Sequence, residues 1–248
     1  MREPAAIFSL QARLEAARTD RSHTFWNRYM KGALPYRGVA MRDIRRAVHA
    51  WWRTEARCPE PFPLAMALLA LPHGEDKLAG ILLLDEIAGD AVTPGHLPML
   101  AQAFDSGHVA DWSTCDWLCL KVLGKVAARG LPDPEASRIL SGWVEAPGPW
   151  RVRAALVSFI KLAARGDKNF QGFTAQMLET CDRALTWQDR FIHTGAGWLL
   201  RELAKAELQP VISFLNTHDG RLTREGLRYA TEAMPPEVSQ NLLSRAKG

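Results

Sequence analysis

Asp111-Trp112-Ser113-Thr114-Cys115-Asp116-Trp117 reads as the opening of an amphipathic helix, and the pattern around it decides the fold. In a helix Trp112 and Asp116 are four residues apart and share one face, a turn from each other. An indole beside a carboxylate is an odd pair for a core, because a buried charge is costly unless partnered. It suits the wall of a site that receives a cation. Two later stretches have the same character: Trp150-Arg151-Val152-Arg153 and Phe191-Ile192-His193-Thr194-Gly195-Ala196-Gly197-Trp198-Leu199-Leu200-Arg201-Glu202. Each sets large aromatics next to charge where a plain core helix would carry leucine.

Working outward from these stretches, apolar residues recur at three and four, and no run alternates apolar and polar as a half-buried strand would. The pattern predicts helices near 5–18, 21–33, 40–57, 64–71, 75–88, 96–106, 112–129, 134–145, 150–165, 171–183, 188–206, 209–217, 222–233 and 236–246. Proline and glycine punctuate them, as at Pro59, Pro61, Pro63, Pro72, Pro94, Gly130-Leu131-Pro132, Pro147-Gly148-Pro149, Gly220 and Pro235-Pro236. Many helices on short connections imply an all-α chain of stacked antiparallel helix pairs. Segments starting near 75, 112, 150 and 188 are about 37 residues apart, close to the period of HEAT-like pairs in a superhelical solenoid; an irregular all-α bundle is the alternative. Stacked pairs curve, and their inner helices line a concave surface. If 112–129, 150–165 and 188–206 are equivalent helices, then Trp112, Asp116, Arg153 and Trp198 are expected to converge. No linker or low-complexity stretch interrupts the chain, so residues 1–248 are expected to form a single domain.

Composition excludes several classes. The 248 residues, 47% of them hydrophobic, suffice for a sizeable core. The longest apolar run, Leu78 to Leu84, falls far short of a membrane span. The N-terminus Met1-Arg2-Glu3-Pro4-Ala5-Ala6-Ile7 lacks a signal-peptide pattern, so a cytoplasmic protein with no membrane partner is expected. Cys58, Cys115, Cys119 and Cys181 form no C-x-x-C and read as small core residues in a reducing compartment. There is no phosphate-binding loop, no nucleophile elbow and no paired-histidine metal motif.

The net charge of +4 is unevenly spread. Residues 1–60 hold 12 Lys/Arg and 6 Asp/Glu, residues 61–110 hold 1 and 6, and residues 111–248 hold 18 and 15. Arg37, Arg42, Arg45, Arg46, Arg53 and Arg57 crowd the first part, as a phosphate footprint would require. A solvated helix face is the commoner origin of such a run.

Each candidate site residue also has a plainer reading. Trp112 could be a core or rim tryptophan, and Asp116 a surface acid favoured by the helix dipole. Arg151 and Arg153 open a helix after Gly148-Pro149, against that dipole. A phosphate there would gain from both the guanidinium and the backbone N–H groups; the plain reading is two solvated arginines. Gly195 and Gly197 inside a helix each cost roughly 1 kcal/mol against alanine, usually offset by close helix packing. His193 reads as a surface or packing residue, and Arg201-Glu202 as a polar pair. In Asn27-Arg28-Tyr29-Met30-Lys31-Gly32 an aromatic sits among cations, as on nucleic-acid surfaces, and Gly32 reads as a helix stop.

At Arg28-Tyr29-Met30-Lys31, Trp112-x-x-x-Asp116, Trp150-x-x-Arg153 and Gly197-Trp198-Leu199-Leu200-Arg201-Glu202 the sequence resembles the HEAT-like-repeat DNA alkylation repair glycosylases, the AlkD-like family. The resemblance extends over almost the whole chain. It implies a C-shaped solenoid holding duplex DNA and excision of N3- and N7-alkylated purines without drawing the base into a pocket. It implies that Trp112, Asp116 and Trp198 lie against the lesion's deoxyribose, that Arg153 holds a phosphate, and that Tyr29 lies at the DNA surface. On the same footing Arg28, Lys31, Arg151, Arg190 and Phe191 are candidate DNA contacts. Two positions depart from the family: Arg190 stands for an aromatic and Thr194 for a lysine. The expected partner is double-stranded DNA containing alkylated purines, met by a monomer without metal or organic cofactor. A non-catalytic helical scaffold binding DNA or protein is the rival expectation.

Overall fold

The computed structural model describes residues 3–56, 60–131 and 133–245. Arg57, Cys58, Pro59 and Pro132, used in reading the sequence, lie outside the described residues. The helices are α1 (Glu3–Ala16), α2 (Asp20–Met30), α3 (Met41–Trp51), α4 (Pro61–Leu69), α5 (Gly74–Leu82), α6 (Leu97–Asp105), α7 (Trp112–Leu118) and α8 (Gly124–Arg129). They continue with α9 (Glu135–Gly142), α10 (Pro149–Val157), α11 (Ile160–Ala163), α12 (Phe173–Ala184), α13 (Arg190–Ala204), α14 (Leu208–Thr217), α15 (Arg224–Thr231) and α16 (Pro236–Arg245). No strand occurs among the described residues. The all-α expectation holds. The chain divides into two compact units, Met1–Trp117 and Leu118–Gly248.

In the first unit, α3 shows how the pattern becomes packing. Ile44, Val48 and Trp51 are spaced by four and three and all are fully buried. Trp51 also donates its Nε1 proton to the Ala6 carbonyl at 2.8 Å, tying α3 to α1. Helix α5 differs, being buried along its whole length. Its first turn carries three consecutive charges inside the protein, and each is partnered. Glu75 accepts the backbone N–H groups of Arg37, Gly38 and Val39 at 2.8–3.0 Å. Asp76 pairs with Arg37 at 2.8 Å. Lys77 donates to the carbonyls of Leu69 and His108 at 2.7 and 2.8 Å. Leaving any of these groups unbonded would cost of order 1–3 kcal/mol or more.

Part of the N-terminal arginine cluster is engaged by acids within the fold. Arg37 is nearly buried on Asp76, Arg45 pairs with Glu86, Arg42 and Arg46 flank Asp43, and Arg13 pairs with Glu55. The basic segment and the acidic segment after it fold against each other.

In the second unit, α12 buries Phe173, Met177 and Cys181 at spacings of four, and α13 buries Ile192, Ala196, Leu199, Leu200 and Leu203. Cys115, Cys119 and Cys181 are buried free thiols, as small core residues should be. The single helix expected over 150–165 is divided into α10 and α11. At the break, Gly124 of α8 lies so close that a Cβ on it would meet the Ser158 carbonyl oxygen at 2.6 Å. Helix α7 runs on through a π-helical turn, Cys119–Leu123, into α8. Most other boundaries fall within a few residues of the expected ones.

Candidate nucleic-acid site

The first two turns of α7 carry two of the candidate catalytic residues, and their geometry starts one residue earlier. Asp111 is 2% exposed. Its Oδ1 accepts the Thr114 backbone N–H at 2.9 Å, and its Oδ2 accepts the Thr114 hydroxyl. This is an N-cap, which satisfies donors that the first helical turn would otherwise leave unbonded. Burial pushes the Asp111 carboxyl above its ordinary range, opposed by its bonds to Thr114 and Ser113 and by the Lys77 charge. Burial likewise lowers the Lys77 ammonium, opposed by Asp111 and Asp76. With the start of the helix so fixed, Trp112 and Asp116 follow on one face, both half-buried. The Asp-x-x-Thr signature of the cap was visible in the sequence; the burial of Lys77 beneath it was not.

Trp112 meets Tyr29 edge-on, with ring centroids 6.1 Å apart. Tyr29 in turn stacks nearly parallel on Phe25 at 5.9 Å. Beneath them Trp26 is buried, donates to the Val39 carbonyl at 2.9 Å and stacks on Tyr36 at 4.3 Å. The Tyr36 phenol is pushed well above its usual range, first by burial and then by the Asp111 charge. Tyr29 is 47% exposed, and Arg28 and Lys31 beside it are exposed. The helix stop falls one residue before the expected Gly32: Lys31 itself takes the left-handed conformation, φ 51°, and caps α2.

The remaining candidates lie in the second unit. Arg153 is 5% exposed. Its Nη1 donates to the Phe191 carbonyl and to the Thr194 hydroxyl of α13. A Cβ on Gly195 would come within 3.2 Å of that nitrogen, so this glycine makes room for the guanidinium. Trp150 and Phe191 pack with ring centroids 4.9 Å apart, and Arg151 is half-buried beside them in sequence. Helix α13 is capped by Asp189, which accepts from Phe191 N at 2.8 Å and Ile192 N at 3.0 Å. Arg190 lies over the Phe191 ring at 5.5 Å and grips Glu225 through two bonds of 2.7 Å, although it remains exposed. Trp198 is half-buried, with Arg201 6.0 Å above its ring.

Gly197 has the packing role expected of it. A Cβ there would sit 2.2 Å from the Gly226 carbonyl oxygen of α15. His193 is a packing residue: it is 1% exposed, bonds the Trp187 carbonyl through Nε2 at 2.7 Å, and accepts the Thr223 N–H at Nδ1. That pattern fixes the ring's orientation, with Nε2 as the donor and Nδ1 as the acceptor. Arg201 bonds Glu202, as anticipated, and also Glu232.

Among the described residues no cluster of three His, Cys, Asp or Glu side chains could hold a metal ion. No described helix is long and apolar enough to cross a membrane. The residues are therefore grouped as follows. Tyr29, Trp112 and Asp116 belong to the first unit; Arg151, Arg153, Arg190, Phe191 and Trp198 belong to the second.

Residues 10–234 match a family model described as DNA alkylation repair enzyme. Among solved structures, the chain is similar to a predicted DNA alkylation repair enzyme from Enterococcus faecalis, at 15% sequence identity and a TM-score of 0.74. The match covers 88% of this chain and 97% of that one, and it places the two in one all-α solenoid fold. Comparison with curated proteins gives no match. With most of its length matched by the family model, this chain belongs to the DNA alkylation repair enzyme family, and its role lies in the repair of alkylated DNA.

Proposed function

We propose that residues 1–248 act as one monomeric domain, an AlkD-like glycosylase of HEAT-like helix pairs. It hydrolyses the N-glycosidic bond of N3- and N7-alkylated purines in duplex DNA, as the first step of base excision repair. The observation that carries this reading is the Trp112–Asp116 pair, half-buried one turn apart on a capped helix and edged by Tyr29. An alkylated purine of this kind carries positive charge, so when the C1′–N bond breaks its electron pair leaves with a neutral base. No general acid is required for that departure. The sugar acquires oxocarbenium character, which the Asp116 carboxylate stabilises electrostatically. Water then adds at C1′, and its proton passes to solvent or to the same carboxylate. The Trp112 face favours the cationic sugar and excludes bulk water. Trp198 is assigned the same office by the family resemblance. The reaction as written needs no metal or organic cofactor.

DNA contact is proposed for Tyr29, Arg28 and Lys31, and for Arg151, Arg190 and Phe191. Arg153 contributes by holding the Phe191 turn of α13. The test is release of labelled 7-methylguanine from methylated duplex by the purified chain. The proposal requires release without added metal and in the presence of a chelator.

A second reading, a non-catalytic scaffold, draws on Arg190, whose two bonds to Glu225 are what a scaffold would keep. Duplex binding with no base release would select it.

A further inference from the structure

We propose that the exposed face of α2 is a stacking platform for a nucleobase that has left the base stack, with Phe25 as its outer ring. This rests on the DNA reading above and adds to it the form of DNA recognised. Phe25 is 58% exposed and Tyr29 47%, unusual for two large rings on one helix turn. They stack with an interplanar angle of 5°, and Trp112 closes the edge at Tyr29. Trp26 below meets both rings edge-on, at 5.3 and 6.1 Å, and is itself anchored on Val39. The rings are thus held in place before any ligand arrives, which lowers the ordering cost of binding.

Charge identifies the occupant. Arg21 and Arg28 fall on the same helical face as Phe25 and Tyr29, and Lys31 follows at the helix end. All three cations are exposed, and none has an acidic partner among the described residues. This distinguishes them from Arg37, Arg45 and Arg13, which are paired. Exposed aromatics interleaved with unpaired cations suit a nucleic-acid strand, the rings taking a base and the cations its phosphates. Intact duplex keeps its bases stacked inside, so the rings gain their partner only where pairing is interrupted.

The experiment compares Phe25→Ala, Phe25→Trp and the wild-type chain by fluorescence anisotropy. The probes are an intact duplex and the same duplex with one abasic-site analogue opposite 2-aminopurine. Wild type is expected to bind the interrupted duplex more tightly and to quench the 2-aminopurine. Phe25→Ala should lose about fivefold or more of affinity for the interrupted duplex, with little change on the intact one. Phe25→Trp should retain both affinity and quenching. An exposed ring contributes little to folding, so melting curves should coincide. Equal binding by Phe25→Ala and wild type, or equal loss on both duplexes, overturns the platform while leaving base release untouched. Absence of any duplex binding by wild type overturns this inference and the proposed function together. Binding of wild type, but not Phe25→Ala, to anionic phospholipid vesicles in preference to the interrupted duplex would assign the face to a membrane surface and overturn it too.

Discussion

At the start of α7 and at the start of α13 an aspartate caps the helix and a buried cation from an earlier helix secures the approach. Asp111 and Asp189 are the caps. Lys77 of α5 and Arg153 of α10 are the cations. The two differ in where the cation reaches. Lys77 bonds the His108 carbonyl, three residues ahead of the cap, and so stays outside the helix that carries the half-buried Trp112 and Asp116. Arg153 reaches the Phe191 carbonyl and Thr194 inside the first turn of α13, in space that Gly195 provides. The same arrangement thus places the buried cation ahead of the helix in one unit and within the packing of the helix in the other. An arginine at a helix start is evidence for a phosphate site only when its nitrogens are not already engaged.

The largest expected effect lies at the seat of α13. In Gly197→Leu the new side chain has no room against Gly226 and Tyr229 of α15. Loss of about 3 kcal/mol or more of stability is expected, or failure of the second unit to fold, read by chemical denaturation. A normally stable Gly197→Leu would show that α13 is not held by this approach.

Arg153→Met comes next and sharpens the contrast directly. It should lower stability by roughly 2 kcal/mol, because it removes a buried charge-assisted bond to the Phe191 carbonyl. A phosphate clamp would instead show weaker DNA binding with an unchanged melting curve. The two outcomes separate the structural role of Arg153 from the one the family resemblance implies.

The caps give the smallest effect and the cleanest pairing. Asp111→Ala and Asp189→Ala should each cost about 1 kcal/mol. Only Asp111→Ala should lower single-turnover base release well beyond its effect on DNA affinity, because it loosens the turn bearing Trp112 and Asp116. Equal losses of release in both variants would erase the distinction between the two regions.

Much of this was legible in the sequence, for identifiable reasons. Ile44, Val48 and Trp51 repeat at helical spacing, and such periodicity survives any detail of packing. The pair at 112 and 116 was legible because four residues make one turn. Gly197 was readable as a packing glycine because nothing else justifies it inside a helix. The run Glu75-Asp76-Lys77 was not legible. Three charges in a first turn look like a solvated helix start, and only the fold brings Arg37, the 37–39 backbone and the Leu69 and His108 carbonyls to them. For the same reason the N-terminal arginines read as one basic face, when Arg37, Arg45 and Arg13 are paired with acids 40 or so positions away in the chain. Phe25 escaped notice because a single aromatic carries no sign of its exposure; its spacing of four from Tyr29 was the available signal.

In the proposed mechanism the Asp116 charge, and not its shape, drives glycosidic cleavage. Asp116→Asn keeps the shape and removes the charge, so the measurement is single-turnover release of 7-methylguanine, with a DNA-binding titration and a melting curve on the same protein. Release should slow at least about tenfold, roughly 1.4 kcal/mol in the barrier, while folding and duplex affinity stay close to wild type. A folded Asp116→Asn that releases the base at the wild-type rate would contradict the electrostatic mechanism, and one that fails to fold would make Asp116 a structural residue.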